Sequence, residues 1–245
     1  MRYAVISDIH SNLEALTSFL EEIKALDIDK TVCLGDVVGY NANPNECVEI
    51  IRKNRIQCVM GNHDSRAAGL EGASDFNLLA ANAVVWTMEA LTPENAAFLR
   101  ALPRSLHIDR KFLAIHGWVN NTDRYIMGVN DAEKNFELMR GLDKQTSVCF
   151  FGHTHVPLSY VEAGGVIDAV TGVSVKVEKG ASYLINPGAL GQPRDRDPRA
   201  SFAVFDTKKT LITFHRFEYD IHTTAGKILA AGLPERLAER LRLGW

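Results

Sequence analysis

Residues 2–36 read RYAVISDIHSNLEALTSFLEEIKALDIDKTVCLGD, and how they are parsed decides the fold. An apolar run closes at Asp8. A helical pattern follows, with Leu13, Leu16, Phe19, Leu20, Ile23 and Leu26 on one face and Asn12 placed to cap it. A second apolar run, TVCLG, closes at Asp36. The pattern then repeats: PNECVEIIRKN (44–54) is a helix whose first position is Pro44, where a missing N–H costs nothing, and IQCVMG (56–61) is a third strand. This β-α-β-α-β order predicts parallel strands buried on both faces and joined by right-handed crossovers.

Further along, 75–102 is mostly helical, FLAIHG (112–117) and SVCFFGH (147–153) are strand-like, and a helix is expected over 131–141. From residue 157 the pattern changes to short β segments, including the hairpin-like SFAVFDTKKTLITFHRF (201–217). That predicts a second sheet packed on the first rather than one long parallel sheet. The tail 220–245 carries Ile228, Leu229, Leu233, Leu237 and Leu241 as an apolar stripe interrupted at GLP, which calls for packing on the body or against another copy in a homo-oligomer. The chain is read as one domain, 1–245.

With 245 residues, 46% of them hydrophobic, the chain can bury a large core without staples. A formal net charge of −3 with no long run of like charge predicts neither non-specific nucleic-acid binding nor attraction to an anionic membrane, so an anionic substrate needs a local site. The N-terminal residues contain no signal-like apolar region, and a cytoplasmic location is expected. Cys33, Cys47, Cys58 and Cys149 lack C-x-x-C spacing and are expected to be buried free thiols.

The chemistry lies at the strand ends. Five apolar runs are followed by Asp8-Ile9-His10, Asp36, Asn62-His63-Asp64, His116 and His153-Thr154-His155. Each alone reads as a cap or a turn. Together they fall where α/β sheets place their ligands, at the carboxyl ends of strands. The i, i+2 spacing of Asp8 with His10 and of His153 with His155 puts each pair on one side if the backbone stays extended. Asp8, His10, Asp36, Asn62, His116, His153 and His155 offer two carboxylates, one amide oxygen and four imidazoles. That donor set suits borderline divalent ions such as Mn²⁺, Fe²⁺ or Zn²⁺, and it is too large for one of them. It suits two ions about 3.5–4 Å apart sharing a carboxylate, whose excess positive charge is matched by phosphate.

At these residues the sequence resembles the calcineurin-like metallophosphoesterase superfamily, in its compact bacterial and archaeal phosphodiesterase-like branch. DIH (8–10), GDVVG (35–39), GNHD (61–64), HG (116–117) and GHTH (152–155) carry the resemblance in order, and NPGALGQPRD (186–195) is similar to a further block. The resemblance implies an α/β fold, a four-layer α-β-β-α sandwich of two mixed sheets flanked by helices. It also implies two divalent metal ions, with Mn²⁺ expected and Fe, Zn, Ni or Co acceptable. Asp8, His10 and His155 would hold one ion, Asn62, His116 and His153 the other, and Asp36 would bridge. His63 would be the catalytic residue over the reacting phosphorus, while Asp64 would either fix that imidazole or, the preferred reading, cap the next helix. Water lowered in pKa between the ions would attack in line.

The implied activity is a metal-dependent phosphodiesterase acting on a small-molecule or nucleotide-like phosphodiester. The alternatives are a phosphomonoesterase or a dinucleoside polyphosphate hydrolase. A different class is a protein-interaction scaffold on the same fold, as in the retromer subunit; the complete ligand set and His63 weigh against it, because burying those polar groups without cations is costly. Gly39 stands where protein-phosphatase members carry an Asp supporting the catalytic imidazole, which disfavours protein serine/threonine phosphatase activity. Asn41, Arg124, Arg194 and Arg196 are candidates for substrate contacts.

Overall fold

The computed structural model describes residues 1–245. Twelve strands and eight α-helices follow one another as β1 (Arg2–Ile6), α1 (Leu13–Glu22), β2 (Lys30–Cys33), α2 (Pro44–Lys53), β3 (Gln57–Cys58), α3 (Asn62–Ala67), α4 (Leu78–Ala90), α5 (Pro93–Arg100), β4 (Ser105–Ile108), β5 (Phe112–Ile115), α6 (Val129–Leu142), β6 (Val148–Phe150), β7 (Leu158–Ala163), β8 (Val166–Val170), β9 (Ser174–Lys176), β10 (Ser182–Asn186), β11 (Ala200–Asp206), β12 (Leu211–Phe217), α7 (Ile221–Ala230) and α8 (Glu235–Leu243). Asn12 caps α1 through a bond from the Ala15 N–H, and Pro44 opens α2.

Two six-stranded mixed sheets form, in the orders β3-β2-β1-β11-β12-β9 and β4-β5-β6-β10-β7-β8. In the first, β1, β2 and β3 run parallel; in the second, β5, β6 and β10 do. The late β segments do not make a sheet of their own. They divide, with β7, β8 and β10 completing the second sheet and β9, β11 and β12 extending the first. Antiparallel pairing of β1 with β11, Tyr3 opposite Phe205, carries the chain back to the first sheet.

The near-continuous apolar runs are explained by burial on both faces. Tyr3 and Val5 point between the sheets, while Ala4 and Ile6 point at α1 and α2. In β6, Val148 and Phe150 point between the sheets and Cys149 points at α6, against Phe136 and Met139. The layers are therefore helix, sheet, sheet, helix. Helices α7 and α8 pack Ile228, Leu233, Leu237 and Leu241 against Ala80 and Ala83 of α4 and against Tyr40, so most of the tail stripe is covered by the body of the same chain, while Leu229 stays exposed. All four cysteines are buried and free. No helix is long and apolar enough to cross a membrane.

The third strand is shorter than IQCVMG promises. Only Gln57 and Cys58 pair in the ladder; Met60 turns away to donate its N–H to the Pro103 carbonyl (2.7 Å), which starts the turn that delivers Asn62.

Phe150 sits in the inter-sheet core, fully buried, with its ring 5.0 Å from Phe112 and 6.1 Å from Phe205. Phe150→Ala is expected to cost about 3–5 kcal/mol of stability, read as a lower urea midpoint at unchanged slope.

Candidate metal centre

Strands β1, β2, β3, β5 and β6 end at one edge of the sandwich, and the turns that follow them meet there. Asp8, Asp36, His116 and the two histidines of GHTH are buried, as are His10, Asn62 and His63. The backbone route differs from the extended geometry expected of D-x-H and H-x-H. Asp8 (φ 55°), His10 (49°), Asp36 (53°), His153 (67°) and His155 (60°) are all left-handed. Such conformations are uncommon for residues other than glycine and are held only where the surroundings over-determine them. Tight left-handed turns, rather than strand alternation, aim these side chains inward.

Each carboxylate divides its oxygens. Asp8 Oδ2 accepts the His153 N–H (3.0 Å) and Asp36 Oδ1 accepts the His63 N–H (2.9 Å), whereas Asp8 Oδ1 and Asp36 Oδ2 are buried without hydrogen-bond partners. The imidazoles are oriented in the same way. His10, His116 and His155 direct Nδ1 at the carbonyls of Val38 (3.1 Å), Leu34 (2.8 Å) and Gln192 (2.6 Å), so Nδ1 carries the proton and the Nε2 lone pair faces the carboxylates. His153 is reversed: Nε2 donates to the Asp123 carbonyl (3.1 Å), which leaves Nδ1 facing inward.

The inward atoms form two groups. His155 Nε2 lies 3.2 Å and His10 Nε2 3.8 Å from Asp8 Oδ1. Asp36 Oδ2 lies 3.5 Å from His10 Nε2 and 3.4 Å from His116 Nε2, which is 3.1 Å from Asn62 Oδ1. Asp36 belongs to both groups, with His10 on one side and His116 and His153 on the other.

This donor set fits divalent cations. The Nε2 atoms of His10 and His155 stand 3.2 Å apart, an arrangement in which two lone pairs repel unless a proton or a metal lies between them. Burial pushes both imidazoles below their ordinary pKa, which disfavours the proton. Burial would raise Asp36, but the imidazoles of His116, His63 and His10 outweigh it and hold the carboxyl well below the usual range. Burial likewise opposes charge on His116, yet Asp36 and Asp8 lift that imidazole to about 10, so a proton and a cation compete for its Nε2.

His63 also brings a ring nitrogen within 4.8 Å of ligand atoms of Asp36 and His10, but its ring is held between Tyr40 (4.5 Å) and Phe76 (4.7 Å), and burial lowers it to about 4. Two glycines make room here. A Cβ on Gly61 would fall 2.1 Å from Asp36 Oδ1, and one on Gly39 (φ +100°) would fall 2.5 Å from His63 Nδ1. Asp64 ties the turns together, accepting the Gly61 and Val38 N–H groups (3.0 and 3.1 Å), and so caps α3 as its position in GNHD implies.

Over the cluster lies a cavity of about 330 Å³ lined by Tyr40, His63, Phe76, Tyr125, Arg194 and the rim acids Asp75 and Asp123, among others. Of the four candidates for substrate contact, only Arg194 lines it. Its guanidinium bonds Gln192 Oε1 (3.0 Å) and the Tyr40 hydroxyl (3.4 Å), with no carboxylate partner. Asn41 is buried behind the turn, donating to the His10 carbonyl (2.7 Å). Arg124 lies 3.5 Å over the Trp118 ring. Arg196 is exposed, its backbone N–H bonded to the Gly244 carbonyl (2.9 Å). Sequence reasoning missed Tyr40, Phe76 and Tyr125, because aromatic residues in loops carry no spacing signal.

The family model for the calcineurin-like phosphoesterase superfamily domain matches residues 1–210. The chain belongs to this superfamily. It is 40% identical to an uncharacterized protein of Methanocaldococcus jannaschii over 98% of this chain and 97% of the relative. A metallophosphoesterase from Sphaerobacter thermophilus, also 40% identical, superposes with a TM-score of 0.86 over 100% of this chain and 99% of its own. A hypothetical protein from Pyrococcus horikoshii OT3 shares the fold at a TM-score of 0.80 and 22% identity, covering 100% of this chain and 98% of its own. As a member of the calcineurin-like superfamily, the chain is a metallophosphoesterase with a buried set of candidate metal ligands.

Gly39→Ala forces a Cβ onto the His63 ring in a backbone conformation that L residues rarely adopt. A loss of about 1–3 kcal/mol is expected from the overpacking, with the His63 imidazole resonances displaced in an NMR spectrum of the labelled protein.

Proposed function

We propose that the protein is a dinuclear metal-dependent phosphodiesterase that hydrolyses a small or nucleotide-like phosphodiester. The observation that carries this reading is the pair of orphaned carboxylate oxygens, Asp8 Oδ1 and Asp36 Oδ2, facing inward imidazole lone pairs at 3.2 to 3.8 Å. Asp8, His10 and His155 hold one cation, Asn62, His116 and His153 the other, and Asp36 is shared. Bound there, two divalent ions, Mn²⁺ foremost, supply an acidified water as nucleophile and positive charge for the phosphoryl oxygens.

The remaining work falls to side chains of the cavity. Arg194, free of carboxylates, binds a non-bridging phosphate oxygen through a charge-assisted bond. His63 faces the same cavity from its aromatic clamp and hydrogen-bonds the phosphoryl group or the departing oxygen. Burial keeps this imidazole neutral at pH 7, so it acts as a donor from one nitrogen rather than as a standing cation. Tyr40, Phe76 and Tyr125 exclude water and offer apolar surface to the ester groups.

The diester is favoured over the monoester by the aromatic lining, because Tyr40, Phe76 and Tyr125 offer apolar surface to a second ester group that a monoester lacks.

The direct test is hydrolysis of a bis-aryl phosphodiester and its matched monoester by chelated protein, before and after adding back Mn²⁺. Metal-dependent turnover favouring the diester is expected; faster monoester turnover would overturn the preference. His63→Ala is expected to abolish nearly all turnover at full metal content. Asp36→Asn loses turnover together with metal, measured by elemental analysis of the purified protein. Arg194→Gln gives up a charge-assisted hydrogen bond of about 1.5–3 kcal/mol, roughly ten- to a hundredfold in kcat/KM for the diester.

A further inference from the structure

Arg66 is an oddity of the site's surroundings, a buried arginine, 5% exposed, on a six-residue helix. Its Nη1 donates to the Asn62 carbonyl (3.2 Å) and lies 2.9 Å from Asp123 Oδ1, and its Nη2 lies 2.7 Å from Asp75 Oδ2. Glu71 stands 3.4 Å from Nη1. The flat face of the guanidinium covers Phe76 at 4.3 Å, and Phe76 in turn packs on His63 at 4.7 Å. One cation thus gathers carboxylates from two separate loops onto the last turn of α3.

The Asp123 contact is the informative one. Asp123 uses its side chain on Arg66 and its backbone carbonyl on His153 Nε2 (3.1 Å), and two residues later the Tyr125 ring lies flat on the His153 imidazole (4.0 Å, 16°). A carbonyl can only accept, so this bond forces the proton of neutral His153 onto Nε2 and aims the Nδ1 lone pair at Asp36. His153 is the reversed imidazole of the cluster, and its partner sits on a long surface loop rather than on a strand end or a turn within the metal edge. The other three imidazoles are aimed by the carbonyls of Val38, Leu34 and Gln192, each buried within the turns themselves.

With Asn62, His116 and His153 read as the ligands of one ion, as proposed above, we infer that Arg66 is the positioning residue of that ion's site. It clamps the 118–125 loop to α3, and through Asp123 it fixes the tautomer and tilt of His153. The same guanidinium holds the carbonyl of Asn62, so two of the three ligands particular to that ion are oriented by one side chain. The other ion's ligands, Asp8, His10 and His155, make no contact with this clamp. Removing the clamp should therefore weaken one metal site and spare the other.

The test compares Asp123→Ala with Asp75→Ala. Both remove a carboxylate from Arg66, but only Asp123 is linked to His153. Asp123→Ala is used beside Arg66→Gln because the latter removes a buried guanidinium packed on Phe76 and endangers folding. Mn²⁺ binding to chelated protein is followed by calorimetry, and the ¹⁵N shifts of His153 are recorded in Zn²⁺-loaded protein.

Wild type is expected to bind two ions. Asp123→Ala should weaken one of them by about 10–100-fold, in the range of lost outer-shell partners of metal-bound histidine, with the other unchanged and the His153 shifts moving toward a mixed tautomer. Asp75→Ala should leave both affinities and the His153 shifts as in wild type. Two ions bound with unchanged affinities in Asp123→Ala would overturn the role of Arg66 while leaving the metal centre standing. Equal weakening by Asp75→Ala would also overturn it, since the effect would then be one of charge alone. Fewer than two ions in wild type would instead overturn the dinuclear reading on which the role depends.

Discussion

The structure turns on the burial of two carboxylates and four imidazoles at a single edge of a two-sheet sandwich. Burying an ionised carboxylate oxygen without a partner is among the costliest things a fold can do. Asp8 and Asp36 do it with one oxygen each while spending the other on a backbone N–H from a neighbouring turn. The arrangement is balanced only by positive charge between those oxygens. Protons on imidazoles supply it only in part, since Asp36 and Asp8 favour charge on His116 while burial disfavours it on His10, His153 and His155. Divalent cations supply it well, and the tautomers are set in advance to receive them.

That requirement explains the unusual backbone. Five of the seven candidate ligands sit at left-handed φ, an expense the surrounding turns must cover with hydrogen bonds. They do so by lacing: Asp8 N–H to Gly35 O, His10 N–H to Asp36 O, Leu190 N–H to Ser7 O and Gly191 N–H to Asp8 O hold the first turn from two sides. The NPGALGQPRD block is thus a brace for Asp8 and His155 as well as the carrier of Arg194.

The sequence was most informative where chemistry is dense. The alternation of apolar runs and helical stripes located β1, α1, β2 and α2, and the strand-end residues identified the cluster, because carboxylates and imidazoles at the ends of buried strands have few other uses. Three things were not legible. The i, i+2 pairs suggested extended backbone, since spacing carries no information on the sign of φ at Asp8 or His153. The late β segments gave no hint that they would split between sheets, because pairing partners far apart in sequence are chosen by packing, here Tyr3 and Val5 against Phe205 and Ala203. The loops yielded Arg194 but also Arg124 and Arg196, since an arginine in a loop looks the same whether it faces a cavity, an indole ring or solvent.

The candidate metal ligands come from both sheets, and this couples the proposed metal centre to the core. Asp8, His10, Asp36 and Asn62 follow strands of the first sheet; His116, His153 and His155 follow strands of the second. The hydrogen bonds that orient them cross the gap as well: His116 Nδ1 reaches the Leu34 carbonyl beyond β2, and the His153 N–H reaches Asp8. The ligand atoms meet only when the aromatic layer of Phe112, Phe150 and Phe205 sets the spacing between the sheets. By linkage, cations that bind this arrangement and not the unfolded chain stabilise the same spacing. Core packing and metal binding are therefore two descriptions of one constraint, the distance between the carboxyl ends of β1 and β2 on one sheet and of β5 and β6 on the other.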